Sequence, residues 1–274
     1  NPLFDMFPQA LDHFNFDQGA TNFMQGDWLA NAANNSYSPL YKYFLGVLYL
    51  ISGRNFYFIY MVQFCMGALA SVLVYLITRD VFGKRAGIIA FFGFALYSTE
   101  IIYEGILLRA AFITFLGLLS FYLLSRLPDT LNIRNLVLTT LALSLFLQSR
   151  PNTFLCLPLV CVFLHRYVFM NNGSGERGRF WGIFIGILLL SFVPLLVQCY
   201  LVHGQFVFFD ASGPHTFIAG NLTSYSGIGF DYRVIEDYTK NHKLAYTSDF
   251  QYLVKHILED FPGFIKLYLR KLYF

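Results

Sequence analysis

The sequence predicts an all-α polytopic membrane protein, and three observations point to this fold class. Hydrophobic residues make up 56% of the 274 positions and charged residues only 13%, whereas soluble domains carry about 25% charged residues. Apolar runs follow one another from residue 56 to residue 203, as membrane helices require. Arg and Lys concentrate in the short turns between those runs. The same composition excludes a disordered chain, a coiled coil and a nucleic-acid-binding module, so we expect no nucleic-acid partner.

Residues 1–55 are predicted to form a loop outside the membrane that carries juxtamembrane helices. The first 41 residues contain four aspartates and neither Lys nor Arg. Residues 39–52, PLYKYFLGVLYLIS, are apolar but shorter than the roughly 20 residues that a span needs. A helix lying in the interface fits this segment better, with Lys42 and its aromatic neighbours at headgroup level.

Residues 56–203 are predicted to form a transmembrane bundle of about six spans. The apolar runs cover residues 56–78, 86–98, 105–125, 136–147, 153–170 and 181–202. Residues 204–260 are predicted to form a second external loop that ends in an amphipathic helix, with Ser248 and Gln251 as its capping box. Residues 261–274 resemble the start of a further membrane helix, so we expect the chain to be part of a longer protein.

The distribution of positive charge predicts the orientation. If the first loop lies outside, the turns after residues 79, 126 and 171 lie inside. Those turns hold seven cationic residues: Arg79, Lys84, Arg85, Arg126, Arg134, Arg177 and Arg179. The positive-inside rule therefore makes residues 1–55 and 204–260 extracytoplasmic.

Asp12 is the first candidate for chemistry. It stands where an apolar loop helix would begin, and a carboxylate at the membrane boundary is costly unless it is solvated, paired or used. The structural alternative is an aspartate that caps an interfacial helix. His13 follows directly, but the six histidines and four cysteines show no metal-ligand spacing.

Four further charged residues lie near predicted external corners. Glu100 and Glu104 are four residues apart, so a helix places them on one face. Arg109 lies in an apolar run and needs a partner there, which is either an acid in a structural ion pair or an anionic headgroup. Arg150 precedes Pro151, which breaks a helix, and it either holds a phosphate or extends to the interface as an anchor.

Six segments in order resemble the GT-C superfamily of membrane glycosyltransferases, and most closely its bacterial branch related to protein O-mannosyltransferases and the lipid A aminoarabinose transferase. The first loop matches through Asp12, His13, Phe16, Ala20 and the Gly26-Asp27 pair. The other matching segments are SPLYKYFLGVLYLISG, LITRDVFGKRAGIIA, LQSRPNTFLCLPL, HTFIAGNLTSYSGIG and FIKLYLRKLYF. The resemblance covers most of the chain and implies a GT-C-like helix bundle in a bacterial inner membrane.

The resemblance also implies an activity, in which a sugar leaves a polyprenyl-phosphate carrier for an acceptor hydroxyl. Asp12 would then be the general base. Glu104 or Glu100 would match a second family acid. Positive charge would stabilise the leaving phosphate, with Arg109, Arg150 and Lys42 as the candidates. Tyr41, His13 and Asn221 complete the predicted substrate contacts.

The resemblance implies partners and leaves two alternatives open. We expect a lipid-linked sugar donor, membrane lipids and a protein or glycolipid acceptor. No cofactor is required, and a divalent metal is unsupported because His13 stands where many relatives have an acid. One alternative is a catalytically silent GT-C-like subunit of a larger membrane complex. The other is a transporter of a lipid-linked glycan, although the two related halves typical of transporters are missing.

Overall fold

The computed structural model describes residues 12–31, 39–170, 173–203, 221, 254–255 and 257–273. All regular secondary structure in these ranges is helical, which confirms the predicted all-α fold class. The chain divides into two units, Asn1–Phe209 and Asp210–Phe274. The predicted capping box of Ser248 and Gln251 lies outside the described residues, as does most of the predicted second loop.

Two short helices precede the long ones. Helix α1 covers Asp12–Met24 and helix α2 covers Pro39–Ser52, and they pack against each other. Phe16 of α1 and Tyr41, Leu45 and Tyr49 of α2 are almost completely buried. Burial of these large side chains is the main stabilisation of the pair, because neither helix is long enough to be stable alone.

The first unit continues with helices that have identifiable ends. The Asn55 side chain accepts a hydrogen bond from the Phe58 N–H at the start of α3, and Gly83 ends that helix with a φ of 88°, a conformation that favours glycine. The helices after α2 are α3 (Phe56–Phe82), α4 (Lys84–Ala95), α5 (Ser98–Glu104), α6 (Ala110–Arg126), α7 (Ile133–Ser149), a 3₁₀ segment (Pro151–Cys156), α8 (Leu157–Phe163), a π-helical turn (Leu164–Phe169) and α9 (Ser174–His203).

Three helical stretches among the described residues are long and apolar enough to cross a membrane: Phe56–Phe82, Pro151–Val168 and Gly175–Val202. Helices α4 and α5 would make a fourth if they form one span bent by 53°. Helices α6 and α7 are apolar but shorter. The predicted number of about six spans is reached only if all of these cross, and it stays a prediction.

Packing in the first unit centres on α3, which contacts α4, α5 and α6. Helix α6 also packs on α7, and α7 packs on α9. Gly117 lets α6 approach α7 closely, because a Cβ there would lie 2.9 Å from the Phe146 ring. At the end of α3 away from Asn55, Asp80 forms ion pairs with Arg79 and, across to α6, with Arg126 at 2.6 Å.

The second unit is described at residue 221 and near its end. Helix α10 covers Phe261–Tyr273, with Pro262 in its first turn, where a missing N–H costs no hydrogen bond. At 13 residues it is shorter than a span, so the prediction that it begins a membrane helix stays open.

Candidate active site

Asp12 and His13 occupy the first turn of α1. A carboxylate is favourable there because the helix dipole places partial positive charge at the N-terminus. Both residues are half-buried. Burial lowers the pKa of His13, and the charge of Asp12 opposes this shift only in part. Among the described residues, the Asp12 carboxylate forms no ion pair, and its role as a general base stays a prediction.

Arg109 approaches α1 from the corner that joins α5 to α6. Its guanidinium carbon lies 6.0 Å from the centroid of the Phe16 ring, at the outer limit of a cation–π contact. Phe16 is four residues after Asp12, so their Cβ atoms lie on one face of α1, roughly 5–6 Å apart. The fold therefore brings the predicted base and the predicted phosphate ligand to the same face of α1.

Tyr41 connects this face to the interior. It has no solvent exposure, its ring meets Phe16 edge-on at 4.9 Å, and burial raises its pKa well above the usual range. Its hydroxyl donates a hydrogen bond of 2.7 Å to Oε1 of Gln63. Substrate contact by Tyr41 stays a prediction, which the geometry does not favour because the hydroxyl is already committed within the core.

Lys42 is also buried, with 1% exposure. Its methylene groups pack over Gly19 of α1, where an added Cβ would lie 2.6 Å from Lys42 Cδ. Close packing over a glycine makes Lys42 part of the α1–α2 interface. Its predicted contact with a leaving phosphate therefore stays a prediction without geometric support.

The two glutamates lie on the seven-residue helix α5. Glu104 is buried, with 7% exposure, and its carboxylate lies directly against Gly67 of α3, in space that a Cβ at that position would occupy. One carboxylate oxygen of Glu100 is buried without a hydrogen-bond partner among the residues that the structure describes. Of the two, Glu104 lies nearer to Arg109 along the chain, because it is the last residue of α5 before the corner.

Arg150 and Asn221 are not brought to this face by any described contact. Arg150 is exposed between α7 and the 3₁₀ segment, where its carbonyl accepts a hydrogen bond of 2.7 Å from the Thr153 hydroxyl. Asn221 belongs to the second unit. There its Oδ1 accepts hydrogen bonds from Tyr268 at 2.9 Å and from Lys271 at 3.3 Å.

Sequence reasoning missed two features of this region. Arg54 pairs with Asp17 through two hydrogen bonds of 2.8 and 2.7 Å, and the Tyr49 hydroxyl donates to the same carboxylate at 2.8 Å. Burial and the neighbouring Asp17 charge raise the pKa of Tyr49, which keeps its hydroxyl a donor. The sequence contained one signal for this ion pair, because Arg54 is the first arginine of the chain and it follows a segment that carries four aspartates. The second feature is Gln63, which links Tyr41 to the α5–α6 corner.

No three His, Cys, Asp or Glu side chains within the described residues are arranged to hold a metal ion. The predicted independence from cofactors is not tested by this finding and stays a prediction.

Comparison with known proteins gives one family. A sequence model of the dolichyl-phosphate-mannose-protein mannosyltransferase family matches residues 36–198, which is more than half of the 274 residues. This range includes Tyr41, Glu104 and Arg109 but begins after Asp12. No curated protein and no solved structure matches the chain. The chain therefore belongs to the dolichyl-phosphate-mannose-protein mannosyltransferase family, which comprises membrane glycosyltransferases of the GT-C kind.

Proposed function

We propose that this protein transfers a sugar from a polyprenyl-phosphate carrier to an acceptor hydroxyl at the extracytoplasmic membrane face, with Asp12 as general base. The observation that carries the proposal is the position of Arg109 against Phe16, one helical turn after Asp12. An acid and a cation on one face can both take part in the transfer. The acid accepts the proton of the acceptor hydroxyl, and the cation stabilises the negative charge of the leaving group.

The proposed reaction is a single displacement at the anomeric carbon. The Asp12 carboxylate accepts the proton of the acceptor hydroxyl, and the hydroxyl oxygen forms a bond to the anomeric carbon. The bond from that carbon to the phosphate oxygen breaks, and polyprenyl phosphate leaves. Arg109 stabilises the negative charge of that phosphate, and Glu104, next to the corner, orients the sugar or the acceptor.

An apolar groove supports a lipid-linked donor. Its volume is about 1170 Å³, and it follows the face of α3 that carries Phe56, Tyr60, Phe64 and Ala68. Gly105, the residue after Glu104, also lines it. A groove of this kind offers an isoprenoid chain apolar surface and leads toward the corner that holds Arg109.

The test uses the full chain in nanodiscs with polyprenyl-phosphate mannose and a membrane extract that supplies acceptors. We expect Asp12→Asn to reduce release of polyprenyl phosphate by about 10²-fold or more, within the range for loss of a general base. Asp129→Asn, which changes an exposed aspartate in the turn after α6, is the matched control and should retain full activity. Equal activity of the two variants would refute the role of Asp12. Absence of release by the wild-type protein from a panel of donors would instead favour a catalytically silent subunit.

A further inference from the structure

The side-chain carboxamide of Gln63 is completely buried within a membrane helix. It lies in the first half of α3 and has no solvent exposure. A polar side chain at such a position is costly unless its hydrogen bonds are satisfied. Three bonds satisfy Gln63. Its Oε1 accepts from Tyr41 at 2.7 Å, and its Nε2 donates to the backbone carbonyls of Glu104 at 2.7 Å and Ile106 at 2.9 Å.

The two carbonyls belong to the stretch where the chain leaves regular helix. Residues 105–109 separate α5 from α6 without helical structure, and Leu107 within them is completely buried. Interruption of a helix in an apolar environment is tolerated where other groups bind the freed backbone polar atoms. Both N–H groups of the Gln63 amide do this, and they thereby define the path of the chain from Glu104 to Arg109.

The third bond extends the connection to α1. Tyr41, which donates to Gln63, packs edge-on against Phe16, and the guanidinium of Arg109 lies over the same Phe16 ring. The contacts of Gln63 thus connect the helix that carries Asp12 with the corner that carries Arg109. Loss of its amide would release the corner without removing any group that touches a substrate.

We propose that Gln63 is a positioning residue that sets the location of Arg109 relative to Asp12. The proposal rests on the proposed transfer reaction for its effect on rate, but its effect on the corner itself is independent of any activity. Gln63→Met has nearly the same volume and lacks all three hydrogen bonds. Gln148→Met is the matched control, because Gln148 is a buried glutamine of α7 whose amide donates to the Ser191 carbonyl of α9.

The first measurement is hydrogen–deuterium exchange of the full chain in nanodiscs. We expect exchange of the residue 105–109 amides to rise at least tenfold in Gln63→Met, while Gln148→Met leaves that segment unchanged. Tyr41→Phe removes only the third bond, so it should raise exchange in this segment less than Gln63→Met does. Unchanged exchange in Gln63→Met would overturn the proposal whether or not the protein is an enzyme.

The second measurement is a double-mutant cycle on release of polyprenyl phosphate from polyprenyl-phosphate mannose. We expect Gln63→Met to lower kcat at least tenfold. Arg109→Met added to the Gln63→Met variant should lower kcat by less than a further threefold, because Arg109 would already be displaced in that variant. Multiplicative losses would mean that Gln63 acts on overall stability, and they would refute the positioning role. Wild-type protein that releases nothing from any donor of the panel, together with raised exchange in Gln63→Met, would refute the proposed function and leave the structural connection intact.

Discussion

At Gly67 the absence of a Cβ atom makes room for the carboxyl group of Glu104. The Glu104 carboxylate occupies the space that a Cβ of residue 67 would need. Glycine within a helix normally costs about 0.5–1 kcal/mol relative to alanine. The close approach of an acid to the α3 backbone explains why a small residue is present in the middle of this 27-residue helix.

Gly67→Ala should therefore destabilise the protein even though alanine is the better helix former. The added methyl group displaces the Glu104 carboxyl group, which is the flexible end of a buried side chain, so we expect a loss near the lower end of the roughly 1–3 kcal/mol that overpacking costs. Gly93→Ala on α4 is the control, because nothing lies within 4 Å of an added Cβ there, and it should be neutral or slightly stabilising. Thermal unfolding in detergent compares the two variants. Equal melting temperatures would show that Glu104 adapts without cost.

Single residues also show the limit of inference from residue type. Tyr41 and Lys42 stand in a segment that resembles the family, and both were expected to contact substrate. In the structure Tyr41 donates to Gln63, and Lys42 packs over Gly19. A tyrosine or lysine in an interfacial segment has the chemistry to bind a phosphate, but whether it faces solvent depends on which helix covers it.

Helix α1 is held in place mainly by contacts with α2 and with the turn after it. Asp17 lies five residues after Asp12 on this helix, and its side chain is 10% exposed. The Arg54 guanidinium binds it with two hydrogen bonds, and Arg54 also stacks on the Phe56 ring at 4.7 Å. These contacts connect the helix that carries Asp12 to the start of α3.

Asp17→Asn should lower the free energy of unfolding more than the loss of an exposed ion pair does. The substitution removes the charge from a nearly buried partner of Arg54 and Tyr49, and hydrogen bonds to charged groups contribute roughly 1.5–3 kcal/mol each. Half exposure of Arg54 reduces this figure, so we expect a loss of about 2 kcal/mol. Glu259→Gln, which removes the exposed Lys255–Glu259 pair, is the control, with an expected loss under about 0.5 kcal/mol. Equal losses in chemical denaturation would contradict this account.

The sequence predicted the helices better than it predicted the breaks within them. The apolar runs predicted helices near the observed ones, and the predicted run 86–98 ends close to the bend of 53° between α4 and α5. One predicted helix is interrupted, because residues 151–169 pass from 3₁₀ through α to π geometry. Hydropathy averages over a window and therefore registers the apolar character of a run but not the break within it.

At the scale of the whole molecule, the charge distribution predicts which ends of the bundle face the cytoplasm. Seven cationic residues in the turns after residues 79, 126 and 171 predict an orientation with residues 1–55 outside. The end of α3 that carries Asp80 also binds Arg126 of α6, so these two helices end on the same side.

Cysteine labelling tests this orientation. In a variant in which Cys65, Cys156, Cys161 and Cys199 are replaced by serine, we introduce Thr130→Cys between α6 and α7 or Asn152→Cys after α7. A membrane-impermeant maleimide should label position 152 in intact cells and position 130 only after permeabilisation. The cysteine-free variant is the control for background. Labelling of both positions from the same side would contradict the predicted topology.

The sequence by itself determined the fold class and the family, and it predicted the approximate spans. These properties depend on composition, on apolar run length and on motif order, which are all local along the chain. Tertiary structure decided which residues form the candidate site. Phe16, Tyr41, Gln63 and Arg109 are separated by more than 20 residues at each step, and they meet only because α1, α2, α3 and the α5–α6 corner pack together. No local pattern encodes such a meeting, because it follows from which helix faces bury each other's apolar surface.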